Sequence, residues 1–237
     1  MRHPLRTLFY GLTHEHSDGK LRSLRKLPED FEIVAVVDDR PDAPRHFCCA
    51  PADTSGLRVV AESEVRGLLP EIEVAFVETA NPRLMPVADL IAGRVIPMHC
   101  DKPCGESMEP YRTIVEKYRA AGVPMQIGYM YRANPAVRFC WRAVSEGWLG
   151  DVGFIEADMN HDYGTGGYAE FIGGFGGGIL YNLGCHLVDI ALPMVRGELK
   201  SVHAVLDDAP GDAPGSRTRG TALLSYPTLD VLLRTSS

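Results

Sequence analysis

Short apolar runs and amphipathic segments alternate through the first half of the chain. The apolar runs are at 7–12, 32–39, 73–79, 95–100 and 124–129. Runs that are this short and continuous are typical of strands buried on both faces of a parallel sheet. Helical patterns lie between them at 17–27, 62–69, 83–93 and 107–121. These repeated strand–helix units predict an α/β domain, with a doubly wound parallel sheet, over residues 1–128.

The pattern changes after residue 130, where strands follow one another without helices between them. A helix is predicted near 134–147 and a strand at 152–160. Three further strands are predicted at 201–208, 221–226 and 229–235. Consecutive strands favour a mostly antiparallel sheet, so residues 129–237 are predicted to form a second domain of α+β type. The segment 207–220 is rich in Pro, Gly and charge and is predicted to be an exposed loop.

The stretch GGGILYNLGCHLVD, residues 176–189, places two polar residues in an apolar, helix-like run. Asn182 and His186 are four residues apart, so a helix would present both on one face. A buried histidine bonded within the core is the ordinary explanation for such a residue. A paired amide and imidazole on one face also suit a catalytic site.

Composition excludes several classes of protein. Of 237 residues, 45% are hydrophobic and 23% are charged, which is typical of a globular protein. The formal net charge of -7, without a basic cluster, argues against binding to nucleic acid or to anionic membranes. There is neither an apolar run of about 18 residues nor a signal-peptide cleavage site, so a cytoplasmic location is expected.

The six cysteines show no CxxC spacing of a zinc or redox site. They are Cys48, Cys49, Cys100, Cys104, Cys140 and Cys185. We expect them to be reduced and mostly buried thiols.

Asp38 ends the second predicted strand. In a dinucleotide-binding βαβ unit, a carboxylate here accepts hydrogen bonds from the adenosine ribose and repels a 2′-phosphate. Asp38 therefore favours NAD, whereas Arg40 keeps NADP possible. The alternative is that Asp38 and Asp39 begin a solvated turn.

The turn after the first strand, YGLTHEHSDG, keeps only Gly11 of a G-x-G-x-x-G pattern. Thr13 and His16 occupy the other two glycine positions, where side chains obstruct close approach of a pyrophosphate. The Thr13 hydroxyl could partly compensate by binding phosphate. His14 and His16 could form half of a metal site, but the sequence offers no convincing partner set, so no metal site is predicted.

Lys102, in CDKPCGES, directly follows a buried strand. It is therefore predicted at the carboxyl edge of the sheet, where open α/β folds bind ligands. Burying a lysine is costly unless it has a function or a partner. The alternative to a catalytic role is an ion pair with Asp101 or another carboxylate.

Three motifs in order resemble the Gfo/Idh/MocA family, the glucose–fructose oxidoreductase and inositol dehydrogenase group. DKP at 101–103 is similar to the family's E-K-P motif, and GYMYRANPAV at 128–137 to its G-Y-x-x-R-x-x-P segment. GGGILYNLGCHLVD is similar to G-G-G-x-x-x-D-x-G-x-H-x-x-D, and residues 77–103 also track the family. The resemblance spans essentially the whole chain and implies a Rossmann domain followed by a substrate-binding domain.

The resemblance also implies a function: an NAD(P)-dependent oxidoreductase acting on a secondary alcohol of a sugar, cyclitol or related polyol. His186 would take the hydroxyl proton, with Lys102 bonding the same oxygen over the nicotinamide and Asn182 orienting the hydroxyl. Gly176 to Gly178 would let the substrate approach the backbone. Cofactor contacts would come from Gly11, Thr13, Asp38, Thr79, Asn81 and Lys102. The sugar pocket would be formed by Tyr131, Arg132, Asn182 and His186.

Two departures from the family pattern keep other functions open. Asn182 stands where the family usually has Asp, which should lower the pKa of His186 and leave it a neutral base. The chain also ends before the further C-terminal strands usual in the family, and an uncovered sheet predicts a homo-oligomer joined there. The alternatives are a non-catalytic sugar- or nucleotide-binding relative and an enzyme of NAD-assisted glycoside cleavage.

Overall fold

The computed structural model describes residues 3–40, 52–162 and 166–237. The chain forms two compact units, Met1–Gly128 and Tyr129–Ser237. Cys48 and Cys49 lie outside the described residues. Among the helices of the described ranges, none is both long and apolar enough to cross a membrane.

The first unit contains a six-stranded sheet in which every pair of neighbours is parallel. Its strands are β1 (Leu5–Tyr10), β2 (Phe31–Val37), β3 (Val59–Val60), β4 (Val74–Val77), β5 (Met98–Cys100) and β6 (Met125–Ile127). Their spatial order is β3-β2-β1-β4-β5-β6. The predicted doubly wound parallel sheet is confirmed. Only β3, with two residues, was not predicted, because so short a strand has no periodicity.

Within the described residues, four α-helices connect these strands: α1 (Ser17–Arg25), α2 (Val65–Leu68), α3 (Asn81–Ala92) and α4 (Met108–Ala121). Short 3₁₀ turns at Glu62–Glu64 and Leu69–Glu71 flank α2, so the helix predicted at 62–69 is only partly α-helical. The core is built on the strands, whose residues Leu8, Val37 and Ala75 are fully buried. Burial on both faces explains the continuous apolar runs in the sequence.

The second unit contains a four-stranded mixed sheet in the order β7-β10-β9-β8. Its strands are β7 (Phe154–Asn160), β8 (Ser201–Asp207), β9 (Arg219–Ser225) and β10 (Asp230–Ser236). β10 is parallel to β7, whereas the other two pairs are antiparallel. The prediction of a mostly antiparallel sheet is therefore confirmed.

The helices of this unit are α5 (Pro135–Ser145), α6 (Gly167–Gly173), α7 (Gly178–Asn182) and α8 (Gly184–Ala191). Leu187 and Ala191 of α8 pack with Val231 and Leu233 of β10 in the core.

The connection between β8 and β9 is less exposed than predicted. Ser216 is 4% exposed and Thr218 is fully buried. The Asp208 carboxylate accepts hydrogen bonds from the backbone N–H groups of Gly215 and Arg217, both at 2.8 Å. These bonds hold the loop against the fold, so the prediction of an exposed loop is wrong for its C-terminal part.

The described cysteines are not in disulfide bonds, but they are not mostly buried as predicted. Cys100 is buried, Cys104 and Cys185 are half-buried, and Cys140 is exposed. Cys140 lies on α5, where Ala143 is the one buried residue. Position on an exposed helix overrides the usual burial of a thiol.

Candidate active site

The carboxyl ends of β1, β4 and β5 gather several predicted site residues at one edge of the first sheet. Gly11 follows β1, Thr79 lies just after β4, and Lys102 lies just after β5. Gly11 has φ +99°, and a Cβ there would lie 2.6 Å from the backbone nitrogen of Thr79. Glycine is therefore required at position 11 for two chain segments to approach at the end of the sheet.

Asp39 holds this edge together, a role that sequence reasoning missed. Its carboxylate is fully buried and accepts hydrogen bonds from the Leu12 backbone N–H at 2.7 Å and from the hydroxyl groups of Thr13 and Thr79. Thr13, considered above as a phosphate ligand, thus bonds to Asp39. Its hydroxyl also accepts a bond from the Ala80 N–H at 2.9 Å.

Asp38, the predicted ribose ligand, pairs instead with Arg40. Nε of Arg40 donates to Oδ1 of Asp38 at 2.8 Å, and this hydrogen bonding lowers the pKa of Asp38. The only sequence signal for Asp39 was the Asp-Asp pair itself. It could not show which carboxylate faces inward.

Lys102 is buried, and its ammonium group donates to Oε1 of Glu15 at 3.1 Å. Burial alone would raise the pKa of Glu15, but Lys102, with His14 and His16, lowers it to about 2. The alternative of an ion-paired lysine is therefore observed, with Glu15 as the partner. Asp101 instead accepts the backbone N–H of Lys102 at 2.6 Å.

Asn81, a predicted cofactor ligand, begins α3 and is buried beside the same motif. Its Nδ2 lies 3.4 Å from the carbonyl oxygen of Lys102, and Nε2 of His14 lies 3.1 Å from that oxygen. Two side chains from separate segments therefore fix the backbone of the candidate catalytic lysine.

A group of titratable side chains lies beneath this edge, and we call it the polar cluster. Its members are His14, His16, Lys20, Glu78, His99 and Asp101. Nζ of Lys20 lies 3.0 Å from Oδ2 of Asp101, 3.4 Å from Oε1 of Glu78 and 2.5 Å from Nε2 of His99. Nδ1 of His16 lies 3.1 Å from Asp101. Apart from the His14–His16 pair, the sequence did not indicate this group.

Burial and neighbouring charges raise some pKa values in the polar cluster and lower others. Burial, reinforced by Asp101, raises the pKa of Glu78 well above its usual value. Burial would also raise the pKa of Asp101, but His14, His16 and Lys20 hold it well below the usual range. Burial lowers the pKa values of His14 and His99 to about 4 each. Both imidazoles are therefore neutral at pH 7.

In the second unit, the predicted polar pair lies on two consecutive helices. Asn182 is the last residue of α7 and His186 is the third residue of α8, with Leu183 between the helices. Both side chains are buried, at 1% and 4% exposure. The rings of Tyr129 and Tyr131 lie edge-on to the imidazole of His186, with centroid separations of 5.9 and 5.2 Å. The single continuous helix expected here is thus wrong.

Arg132 was expected to help form a sugar pocket, but its guanidinium group binds Asp189. Nε lies 2.9 Å from both carboxylate oxygens, and a terminal nitrogen adds a third contact. Asp189 follows His186 by three residues on α8. Arg132 therefore anchors the helix that carries His186. Both residues were visible in the motifs, but their pairing was not.

Gly178 lies where the chain segment at Arg217 contacts the backbone of α7. It has φ +50°, and a Cβ there would lie 2.5 Å from Cβ of Arg217. The next residue, Ile179, donates its N–H to the carbonyl oxygen of Arg217 at 3.0 Å. Gly178 was expected to let the substrate approach the backbone. In the structure, Arg217 approaches the backbone there, at the start of α7.

The turn before α1 meets some requirements of a dinucleotide but not others. Gly11 gives the tight turn that such a cofactor needs. Several backbone N–H groups of this turn already donate within the protein, those of Leu12, His14 and His16 among them. The ionised Glu15 also repels an anion. The turn therefore fits a pyrophosphate only if Glu15 moves away from Lys102.

Comparison with known proteins gives matches in both units. Residues 137–236 match the GFO/IDH/MocA C-terminal domain. The chain is 29% identical over 131 residues to trans-1,2-dihydrobenzene-1,2-diol dehydrogenase of Mus musculus, covering 55% of this chain and 39% of the enzyme. It is 23% identical over 170 residues to levoglucosan dehydrogenase of Pseudarthrobacter phenanthrenivorans, covering 67% of this chain and 43% of the enzyme. The matches thus span about two fifths of these relatives' length.

Among solved structures, GenD2 from gentamicin A biosynthesis, in complex with NAD, has the same fold. The TM-score is 0.79 at 18% identity, and the match covers 100% of this chain and 66% of GenD2. The three sequence motifs, the two sheets and the related dehydrogenases agree with the resemblance to the Gfo/Idh/MocA family, and residues 137–236 match the C-terminal domain of that family.

Proposed function

We propose that this protein is an NAD(P)-dependent oxidoreductase that transfers a hydride between the nicotinamide and a secondary alcohol of a sugar, cyclitol or related polyol. The observation that carries the proposal is the buried Lys102 at the carboxyl edge of a parallel sheet, with its backbone held by His14, Asn81 and Asp101. The relatives support it, since two are named dehydrogenases and GenD2 was crystallised with NAD.

Three side chains have named roles in the proposed chemistry. His186 accepts the proton of the substrate hydroxyl, and Asn182 orients that hydroxyl. The ammonium group of Lys102 stabilises negative charge that develops on the same oxygen. The nicotinamide supplies the hydride acceptor when it is bound. Arg132 is a positioning residue, because it acts on His186 through Asp189 and α8.

The cofactor residues of this proposal are Gly11, Thr13, Asp38, Thr79, Asn81 and Lys102. Gly11 shapes the turn, and Asp38 favours the ribose of NAD over the 2′-phosphate of NADP. Asp39 joins them as the residue that fixes the turn to Thr13 and Thr79. Glu15 must release Lys102 before the lysine can act on a substrate.

Calorimetric titration with NAD, NADH and NADP tests the proposal, followed by a polyol screen with any nucleotide that binds. Lys102→Ala and His186→Gln should each lower turnover about 100-fold or more. The exposed Lys117→Ala and His203→Gln serve as matched controls and should retain activity. Absence of nucleotide binding by folded protein would contradict the proposal.

The second candidate function is a non-catalytic sugar- or nucleotide-binding protein. The Glu15–Lys102 ion pair favours it, because the candidate catalytic ammonium group is already engaged. Replacement of Lys102 by Ala separates the two functions. A binder keeps its ligand response with a modest change in affinity, whereas an enzyme loses most of its turnover.

We also propose that two or more copies associate through the sheet of the second unit. The support is the edge strand β8, on which Val202 is 53% exposed and Val205 is 67% exposed. The outward face of the sheet is less apolar than expected, since Arg234 there binds Glu156 and Asp158. A second copy would cover the β8 edge.

A further inference from the structure

We propose that the polar cluster binds a divalent metal ion through His14, Glu78 and Asp101. The sequence predicts no metal site, because His14 and His16 have no partner set nearby in the chain. The fold brings Glu78, which follows β4, and Asp101, which follows β5, close to His14. This inference does not depend on the proposed dehydrogenase activity.

The three side chains have the spacing of a ligand set. Each offers one ligand atom, and these atoms all lie within 4.8 Å of one another. His14 is 1% exposed, and Glu78 and Asp101 are fully buried. Ligand atoms that bind one ion at about 2.1 Å in tetrahedral or octahedral geometry lie about 3.0–3.4 Å apart. Side-chain shifts of about 1–2 Å would therefore bring the three groups onto one ion.

The hydrogen bonds of His14 identify Nδ1 as the nitrogen that can bind a metal. The backbone N–H of His16 donates to the lone pair of Nδ1 at 3.2 Å, so a metal ion would replace that hydrogen bond. Nε2 therefore carries the proton and donates to the carbonyl oxygen of Lys102 at 3.1 Å. Metal-binding histidines characteristically donate their second N–H to such a carbonyl group. Nδ1 lies 3.8 Å from Oδ2 of Asp101.

Glu78 provides an independent observation. Its Oε2 is buried and accepts no hydrogen bond in the described part of the structure. The side chains of Glu78 and Asp101 are hydrogen-bonded to each other, so one proton lies between the two buried carboxyl groups. A metal ion between Glu78 and Asp101 would replace that proton, and the two carboxylates would balance its charge.

Lys20 shows that these oxygens already attract a cation. Its ammonium group lies 3.0 Å from Asp101 and 3.4 Å from Glu78. The side chain is 28% exposed and lies in the first turn of α1, so it has room to turn toward solvent. A metal ion would therefore compete with the ammonium group of Lys20.

One imidazole and two carboxylates suit a divalent first-row metal such as Mn²⁺, Fe²⁺ or Zn²⁺. A competing arrangement uses His14, Glu15 and His16 on the turn, whose ligand atoms also lie within 4.8 Å of one another. Glu78 belongs only to the buried set, whereas His16 belongs only to the turn set. Variants at these two positions therefore distinguish the sites.

Mn²⁺ is the appropriate probe, because the six cysteines of the chain would attract Zn²⁺. The full chain is titrated with Mn²⁺, and the free ion is measured by electron paramagnetic resonance. We expect one ion per wild-type chain. Glu78→Gln should weaken binding at least about 10-fold. Lys20→Met should tighten it, because the competing cation is gone. His16→Gln should weaken binding less than Glu78→Gln does, because His16 only hydrogen-bonds the ligand Asp101. The exposed control Glu29→Gln should bind like wild type.

The proposal is overturned if wild-type protein binds no Mn²⁺, or if His16→Gln loses the ion and Glu78→Gln keeps it. Circular dichroism checks that each variant is folded. His14→Gln replaces Glu78→Gln if the latter fails to fold. Lys20→Met is a second test that does not depend on a loss of binding, since a misfolded protein would not gain affinity for Mn²⁺. Unchanged affinity in Lys20→Met would also contradict the proposed site.

Discussion

Adjacent residues of the same type have different surroundings at the end of β2. Asp39 is fully buried beneath three hydrogen-bond donors, whereas Asp38 pairs with Arg40 near the surface. Successive side chains of an extended segment point to opposite sides, so neighbours in sequence need not share a role. At the scale of the residue, burial and partners decide function.

This difference predicts unequal costs of substitution. Asp39→Ala should lower the free energy of unfolding by about 3 kcal/mol, because it leaves buried donors without an acceptor. Asp38→Ala should change it by less than about 1 kcal/mol, since a surface ion pair contributes little. Urea denaturation of both variants measures the difference. Equal losses would show that Asp39 does not hold the turn.

Glu15 should oppose binding of the cofactor. Its pKa, lowered to about 2, keeps the carboxylate ionised beside the candidate phosphate turn. Glu15→Gln should tighten NAD binding about 10-fold by removing a nearby negative charge. Calorimetry measures the affinity, with Glu29→Gln as the control. Weaker binding by Glu15→Gln would mean that Glu15 is part of the cofactor site.

At the scale of the element, close contacts decide where helices begin and end. α7 begins at Gly178, where Arg217 lies against the backbone. A separate helix, α8, begins after Leu183. Arg132 then holds α8 through Asp189. The segment that carries Asn182 and His186 is therefore fixed by residues outside it.

Gly178→Ala tests this packing. The new methyl group would collide with Arg217 and would occupy a backbone conformation that disfavours side chains. We expect a loss of about 1–3 kcal/mol in the free energy of unfolding. Gly153→Ala in the same unit meets no atom within 4 Å and is the control. Thermal and urea denaturation provide the measurement, and equal stability of the two variants would contradict the explanation.

At the scale of the whole molecule, acid should destabilise the protein through its buried histidines. The pKa values of His14 and His99 lie near 4 in the folded protein, below the ordinary 6.5. Between these values the unfolded chain binds more protons, so stability falls as pH falls from 6.5 to 4. Each histidine could contribute up to about 3 kcal/mol at the lower limit.

Urea denaturation across this pH range, with a chelator present, measures the effect. His99→Gln removes one titrating group and should reduce the dependence of stability on pH. His203→Gln, at an exposed position, should leave the dependence unchanged. A His99→Gln variant with the same dependence of stability on pH as the wild type would contradict this account.

Association of copies is also a property of the whole molecule. Light scattering at micromolar concentration should give a mass above that of one 26.0 kDa chain. Val205→Lys should shift the protein toward the monomer by placing a charge on β8. Val59→Lys, at another exposed valine on an edge strand, is the control. A monomeric wild-type protein would contradict the proposal.

The sequence alone determined the fold class, the main strands and the family resemblance. These depend on local periodicity and on motifs of adjacent residues, which are present before the chain folds. It also indicated Lys102, His186 and Asn182 as candidate site residues. Their catalytic roles remain predictions, since the experiments above test them.

Only the tertiary structure decided which side chains pair with one another. Glu15 with Lys102, Arg132 with Asp189, and Glu78 with Asp101 are pairs whose members are separated in the sequence by 87, 57 and 23 positions. The direction of each side chain and its distance from the next segment arise only when the strands and helices pack. Local patterns contain no information on such distances, so the buried polar cluster became visible only in the folded chain.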